Sequence, residues 1–530
     1  HSRLTFGDHA SFSGNHAHGS SYGDGYILNN GGAIHLSGSN SAIMTFGDHA
    51  SFSGNYTLTN ISGNIFNFYN NYGGAIYLSG INSAIMEFGD YASFSGNYVN
   101  VSNISNNDVN LYTCYGGAIF MNGSDSILSF GDYASFSGNY VSYSNVSMIS
   151  SSGGAIHLSG FNSAIMAFGD HASFSGNYAY GSSNGGAIYM SGGNSTILAF
   201  GDYASFSGNY AYGDGCGGAI FMIGSSDSIL TFGDHASFSG NYAHSSSDDN
   251  DRIGTGGAIY IYSTSLTIRN GATFTNNYAS SHGGAIFLDG DNTDKLSRFL
   301  AFTHDVLFSG NMTGGTFTQH NDGSFSVENG VANAIHVYGT SHLQLAAAQG
   351  REVRFNDPIT SSVNFSDKEN ISLSLNQYTD DEGNSHATDG TVIFSGELYQ
   401  GDDAHLVASR YNDFKGQTTL YGGTLILEHN VVFGNADLRD DTSMTLEHGT
   451  LEIIGGSVIN ASSFTVANGD VVLRPGTSAF INAKDVDLSH GFVFDMQKQA
   501  QEAASLANTN GLSISASGSF TLGGSIGIMD

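Results

Sequence analysis

Residues 73–98 read GGAIYLSGINSAIMEFGDYASFSGNY, and this stretch decides the fold because it recurs. GGAI starts at Gly31, Gly73, Gly116, Gly153, Gly185, Gly217, Gly256 and Gly283. FSGN starts at Phe12, Phe52, Phe94, Phe136, Phe174, Phe206, Phe238 and Phe308, with a drifted FTNN at Phe274. Each of the first six GGAI copies lies 20 or 21 residues before the next FSGN, whereas the way from FSGN to the next GGAI takes 5 to 18 residues. The part of fixed length packs on its neighbours; the part of free length leaves the body as a loop. Leu58–Tyr72, Val99–Tyr115 and Val141–Ser152 read as such loops, rich in Asn and Ser.

The fixed part reads as three short strands, GAIYLSG, SAIMEFG and ASFSGNY, separated by Gly, Ser, Asn and Asp. Strand alternation puts Ile76 and Leu78 on one face, Met86 and Phe88 on one face, and Ala92 and Phe94 on one face. Three such strands make no stable sheet alone. Stacked unit on unit they make three parallel sheets around an apolar column, so the expected fold is an all-β right-handed parallel β-helix with loops along one edge. About six inward side chains per coil, each worth roughly 1.5–3 kcal/mol, offset much of the ordering entropy. Stacking sets like above like. The FSGN asparagines, from Asn15 through Asn241, are expected to form an amide ladder. The residues after GGAI (His35, Tyr77, Phe120, His157, Tyr189, Phe221, Tyr260 and Phe287) are expected to form an outward ladder of rings. The reading divides the chain into a repeat β-helix over 1–320, an irregular transition over 321–390 and a continuation of the β-helix over 391–530. One short helix is expected at Met496–Ala507.

The net charge of −32, from 14 Lys+Arg against 46 Asp+Glu, disfavours nucleic acid and anionic lipid as partners. Cys114 and Cys216, three repeats apart, are about 14 Å from each other at one coil per strand spacing, beyond the ~7 Å a disulfide spans. They are expected to be free thiols in loops. The sequence has no run of about 20 apolar residues that would make a membrane helix. The opening in mid-repeat, at LTFGDHASFSGN, reads as a processed or cloned fragment, and its ends say nothing about export of the full protein.

Seven FGD corners carry Asp8, Asp48, Asp90, Asp132, Asp170, Asp202 and Asp234. Stacked carboxylates would lie about 5 Å apart, the separation of a retaining glycosidase pair, which makes a polysaccharide-acting enzyme the rival reading. A unique active site does not recur in every coil, and Arg3, Arg252 and Arg269 stand nearly alone among the repeats, so the Asp is read as a turn residue capping backbone amides. A cation-bridged ladder is the second alternative. The ring after that Asp alternates freely between His (His9, His49, His171, His235) and Tyr (Tyr91, Tyr133, Tyr203), which favours a stacked surface ladder over metal ligation. Gly19–Gly23 and Gly181–Gly185 match a hydrolase elbow pattern, and Gly213–Gly218 a dinucleotide fingerprint, without the strand–turn–helix context that either requires. No cofactor, metal or catalytic residue is expected.

With these words in place, the alternating GGA-Ile and Phe-x-x-Asn motifs resemble the polymorphic outer membrane proteins of chlamydiae, a family of autotransporters. REVRFNDPI at Arg351–Ile359, GTVIFSGE at Gly390–Glu397, TTLYGGTLILEHN at Thr418–Asn430, GTLEI at Gly449–Ile453 and the closing Ser513–Asp530 are similar to the middle domain of that family. The resemblance spans nearly the whole chain. It implies a signal peptide before this region, a membrane barrel after it, a place at the bacterial surface, outer membrane or secreted, and attachment to host cells through the two motifs. The repeats here are more uniform, and the cysteines fewer, than is usual in the family. The expected partner is a host-cell receptor, protein or glycan, with self-association left open and membrane contact only through the barrel. The candidate host-binding residues are Gly73, Gly74, Ala75, Ile76, Tyr77, Phe94, Asn97, Gly153, Gly154, Ala155, Ile156, Phe174, Asn177, Gly185, Gly186, Ala187, Ile188, Phe206 and Asn209. The variable loops are the alternative contact surface, and a coat protein without a receptor is the alternative function.

Overall fold

The computed structural model describes residues 2–529 apart from 22–25, 62–67, 103–110, 144–148, 226, 246–252, 291–294, 321–324, 363–370, 435–441, 477 and 497–511. The helix expected at Met496–Ala507 therefore lies almost wholly outside the described residues. Two compact units emerge: His1–Ser265 with Asn276–Phe287 and Thr313–Glu328, and Leu266–Thr275 with Leu288–Met312 and Asn329–Asp530.

The first unit is a parallel β-helix in register. Ile76 pairs with Ile34 of the coil before and Ile119 of the coil after, and Met86 with Met44 and Leu128. Like residues sit above like because any slip of one would turn every apolar side chain outward. In three coils the first two expected strands run on as one, Ile76–Phe88, Ile119–Phe130 and Ile156–Phe168. Alternation does the sorting: Ile76, Leu78, Met86, Ala92 and Phe94 are fully buried.

Two columns of phenylalanine fill the core. Phe46, Phe88, Phe130, Phe168, Phe200 and Phe232 stack at 4.6–4.9 Å. Phe52, Phe94, Phe136, Phe174, Phe206 and Phe238 stack at 4.8–4.9 Å. Within each coil the two columns meet edge to face at 5.2–5.4 Å. Each such pair adds about 0.5–1.5 kcal/mol beyond area burial.

The expected amide ladder is present and complete in its bonding. Each Asn Nδ2 donates to the Asn Oδ1 of the next coil at 2.9 Å, from Asn15 through Asn277. From Asn55 onward it also donates to the Phe carbonyl of the coil before, as Asn139 does to Phe94.

The loop bases are not loose. After FSGN the chain leaves as strands Tyr56–Ile61, Tyr98–Ser102 and Tyr140–Tyr143, and it returns as Phe68–Tyr72, Leu111–Tyr115 and Ile149–Ser152. These strands pair in parallel from coil to coil and enclose a small core of Val99, Val101, Cys114 and Val141. This corrects the expected position of the thiols. Cys114 and Cys216 are unbridged but buried, because parallel pairing draws the loop bases onto the body. Burial pushes the Cys114 thiol up to about 12, which makes it unreactive.

The second unit continues parallel pairing with other residues. Lys295–Ala301 pairs with Ser341–Ala347, that strand with Ser372–Leu375, and that one with Gly416–Leu420. Here an acid closes the amide bonding. Asp357 is buried and accepts from the Gly310 N–H, the Asn311 N–H, Asn311 Nδ2 and the Tyr399 hydroxyl. Desolvation raises its carboxyl above the usual range, and these donors oppose the rise. Outward ion pairs replace ring ladders in this unit: Arg354 bonds Glu352 and Glu428, and Arg474 bonds Glu452 and Asp495. Among the described residues, no helix is long and apolar enough to cross a membrane.

Candidate functional site

The proposed contact motifs lie inside the coil. Gly73, Gly74, Ala75, Ile76, Phe94, Asn97, Gly153, Gly154, Ala155, Ile156, Phe174, Asn177, Gly185, Gly186, Ala187, Ile188, Phe206 and Asn209 are all buried, and only Tyr77 is half-buried. The reason is local. The first Gly of each GGAI holds φ of +61° to +70°, and the second lies so close to the next coil that a side chain would strike its backbone. A partner cannot reach these groups without opening the coil, so the motifs shape the surface and do not form it.

The ring ladder after GGAI is also not the open face the alternation suggested. Phe120, His157, Phe221, Tyr260 and Phe287 are buried. In the coils with long loops, the returning strand lays Tyr72 and Tyr115 over this ladder, with Tyr72 at 4.4 Å from Phe120 and Tyr115 at 4.4 Å from His157. A side chain that points away from the core still loses water when a nonlocal strand covers it. His157 is held between Tyr115, Phe120 and Tyr189, bonded to the Ser152 hydroxyl, and burial lowers its pKa to about 3. A buried neutral imidazole contributes its full stability above about pH 6.5, and that stability is lost as pH falls toward 3, by about 1.4 kcal/mol per unit. Replacement His157→Phe is therefore expected to flatten the acid limb of stability measured by denaturant unfolding between pH 6.5 and 4.

What does face solvent is the FGD corner. His9, His49, Tyr91, Tyr133, His171, Tyr203 and His235 stack at 4.7–4.9 Å, every pair within 12° of parallel. Tyr91, Tyr133 and Tyr203 are 48%, 45% and 49% exposed. The Asp before each ring runs beside this column. Its Oδ1 accepts the backbone N–H of the Asp one coil on, at 2.8–3.0 Å, from Asp8 through Asp234. The turn-capping reading of the Asp thus holds, and since every copy repeats one environment, none is set apart as a catalytic acid.

All seven rings sit in the left-handed region, with φ of +58° to +60°. That conformation costs a residue with a Cβ about 1 kcal/mol, and Gly or Asn adopts it more easily. Coil after coil holds a large ring there at that cost. Stacked rings occupy one another's faces, so the column presents edges: phenol hydroxyls, imidazole nitrogens and the adjoining carboxylates. Sugar rings, which lie on aromatic faces, find no flat platform on it. Replacing Tyr133 by Asn removes two exposed stacks and eases the backbone, so its stability in urea is expected to stay within about 1 kcal/mol of the parent.

A third column follows FSGN. His16, Tyr56, Tyr98, Tyr140, Tyr178, Tyr210 and Tyr242 stack at 4.7–5.0 Å along the outgoing strands. This column was not among the ladders expected from the motifs. The signal was there in the paired words Tyr178-Ala-Tyr180 and Tyr210-Ala-Tyr212, whose two-residue spacing puts both rings of each pair on one strand face. The loop segments 62–67, 103–110 and 144–148, the alternative contact surface, lie outside the described residues.

The repeat of the Chlamydia polymorphic membrane protein family matches residues 171–191 and 271–289. Three Chlamydia pneumoniae proteins are similar over larger stretches. The probable outer membrane protein pmp8 is 29% identical over 224 residues, 41% of this chain and 22% of its own length. The probable outer membrane protein pmp10 is 28% identical over 275 residues, 49% of this chain and 27% of its own length. The probable outer membrane protein pmp12 is 31% identical over 204 residues, 37% of this chain and 35% of its own length. The chain thus spans only a minor part of the relatives it matches. No solved structure matches.

Proposed function

This chain is a member of the chlamydial polymorphic membrane protein family, and from that premise we propose that it stands at the bacterial surface as the passenger part of an adhesin. The observation that carries the reading is the exposed FGD corner. It offers the same edge of ring and carboxylate in seven successive coils, held in a backbone conformation that a smaller residue would adopt more cheaply. Contacts too weak to hold alone add up when repeated at one spacing, because the first raises the effective concentration of the next. The partner is a host-cell surface molecule, and the buried GGAI and FSGN residues act by fixing the spacing.

The test is attachment of beads carrying the full chain to cultured epithelial cells, beside beads carrying a Tyr91→Asn, Tyr133→Asn, Tyr203→Asn variant of matched circular dichroism. Saturable attachment that soluble protein competes away, and that the variant loses, is the expected result. Attachment by the variant equal to the parent would move the contact to the loops. No attachment by either, with the fold intact, would favour the coat reading, in which the surface column serves only to clothe the cell.

A further inference from the structure

We propose that the outward column of isoleucines on the strand before each FGD corner docks an amphipathic α-helix whose apolar face is bordered by Lys or Arg. Ile43, Ile85, Ile127, Ile165, Ile197 and Ile229 stand in register on six successive coils. Each lies between buried neighbours, as Ile85 does between Ala84 and Met86, so alternation turns it outward. Ile127 and Ile229 are 37% and 39% exposed, and the other four are half-buried. At the turn that leads into this strand, Ile81 and Phe161 project further, 68% and 78% exposed.

The fold does not require apolar groups here. The outward places of the SFS strands carry serine in seven coils, from Ser11 to Ser239, and those strands pair as regularly. Stacking does not account for Ile81 and Phe161, which keep most of their surface in water. The position of the column also matters. The loop-bearing strands run from the FSGN corner to the GGAI corner, as Tyr56–Ile61 and Phe68–Tyr72 do. The isoleucine side of the coil is the one that does not reach those corners.

Spacing selects a helix. Six rungs at about 4.8 Å make a row of roughly 24 Å, the length of about 16 helical residues. A helix advances about 5.4 Å per turn and so brings one apolar residue against nearly every rung, whereas an extended strand returns a side chain to one face only every ~6.8 Å. Charge selects its border. Five residues after each isoleucine comes the FGD aspartate, Asp48, Asp90, Asp132, Asp170, Asp202 and Asp234 in turn. Asp125 and Asp227 stand exposed two residues before Ile127 and Ile229. Residues 4–251 contain no Lys or Arg, so the complement to this acidic border is a basic partner. The surface is separate from the ring edge of the FGD corner. The Tyr91→Asn, Tyr133→Asn, Tyr203→Asn variant leaves the isoleucines in place, so failure of cell attachment and failure of this docking are different results.

The probe is a dye-labelled peptide of about 18 residues, Leu and Lys, with every Leu on one helix face, titrated into the full chain by fluorescence anisotropy. Beside it run a peptide of the same composition with Leu scattered round the helix, and one with Glu in place of Lys. Saturable one-to-one binding of the first peptide alone is expected, weakened about tenfold in an Ile85→Thr, Ile127→Thr, Ile165→Thr chain of matched circular dichroism. That variant keeps the net charge of −32, so equal binding by parent and variant would reduce the contact to bulk charge and overturn the proposal. An Ile81→Ser, Phe161→Ser chain, altered only at exposed turn positions, is expected to lose about threefold. Should the threonine chain misfold, equal binding by this serine chain and the parent overturns the proposal in its stead. Equal binding of the scattered peptide overturns it too. So does a parent that leaves the peptides free but holds phosphatidylcholine vesicles, or one that sediments as a dimer the threonine chain does not form, since the column would then serve a membrane or a second copy.

Discussion

Replacing Gly154 by Ala is expected to unfold the coil that carries it, at a cost of about 4 kcal/mol or more. A Cβ there would stand 2.0 Å from the Gly186 carbonyl oxygen and 2.5 Å from the Tyr178 carbonyl. Both obstacles are backbone, and each is tied into the stack. Ala155 donates to the Ala187 carbonyl at 2.9 Å and Tyr178 to the Asn139 carbonyl at 3.0 Å, so neither coil can yield alone. Gly138 is the control. It holds φ of +59° but has nothing within 4 Å of where a Cβ would be, so Gly138→Ala meets only the left-handed penalty of about 1 kcal/mol. Because each coil touches only its neighbours, the damage is local and a single midpoint would blur it. Hydrogen exchange resolves it: the amides of residues 153–188 should lose protection in Gly154→Ala and keep it in Gly138→Ala. Equal protection in the two variants would show that the close approach at the Gly pair does not hold the coil.

The second large effect is expected at Asn139, where truncation to Ala should cost about 3–5 kcal/mol. This side chain is fully buried and bonds on both sides. Its Nδ2 donates to the Phe94 carbonyl and to Asn177 Oδ1, each at 2.9 Å, and its Oδ1 accepts from the Asn97 N–H at 3.0 Å and Asn97 Nδ2 at 2.9 Å. Alanine leaves the Asn97 N–H and one of the two Asn97 amide hydrogens without an acceptor, the other staying on the Phe52 carbonyl, and an unmade buried bond costs about 1–3 kcal/mol per group. Asp should fare no better, because it keeps the acceptor and loses both donations. The second unit shows where Asp does suit: Asp357 only accepts, from Gly310, Asn311 and Tyr399. An exposed amide of another ladder, Asn82 bonded to Asn40, gives the scale for a ladder bond in water, and Asn82→Ala should change stability by no more than about 0.5 kcal/mol. Urea unfolding followed by circular dichroism separates these outcomes. A loss at Asn139 no larger than at Asn82 would mean that the buried amide ladder adds nothing to stability.

Both substitutions bear on how function is tested here. A change in a GGAI or FSGN residue that abolishes attachment reports first on the coil, since Gly154, Phe174 and Asn177 have no surface to offer. Changes at Tyr91, Tyr133 or Tyr203 leave the core untouched and read contact itself.

Much of the candidate surface was legible in the chain and part of it was not. The FGD column followed from recurrence: a ring after each Asp, always exchanged between His and Tyr, reads as a stacked ladder, and it is one. The column after GGAI read the same way and proved covered. For Phe120 and His157 the difference is Tyr72 and Tyr115, which stand directly before GGAI in only two of its eight copies, so the repeat itself shows no ring at that place. The hairpin of Thr316–Gln319 with Phe325–Glu328 over Tyr242 and Tyr278 was hidden as well, as residues 313–328 carry neither GGAI nor FSGN.

Strands, inward faces and register are all written in the chain. Two-residue alternation and an almost constant spacing are local properties, and stacking equal units leaves only one alignment that buries Ile76 on Ile119 and Phe94 on Phe136. Which outward side chains meet water is settled later, when the coils come together. Outward direction is set by a residue's own backbone, but exposure is set by whatever distant strand comes to lie on it. Tyr115 closing over His157, and Phe317 over Tyr242, are contacts between segments whose pairing no local pattern encodes.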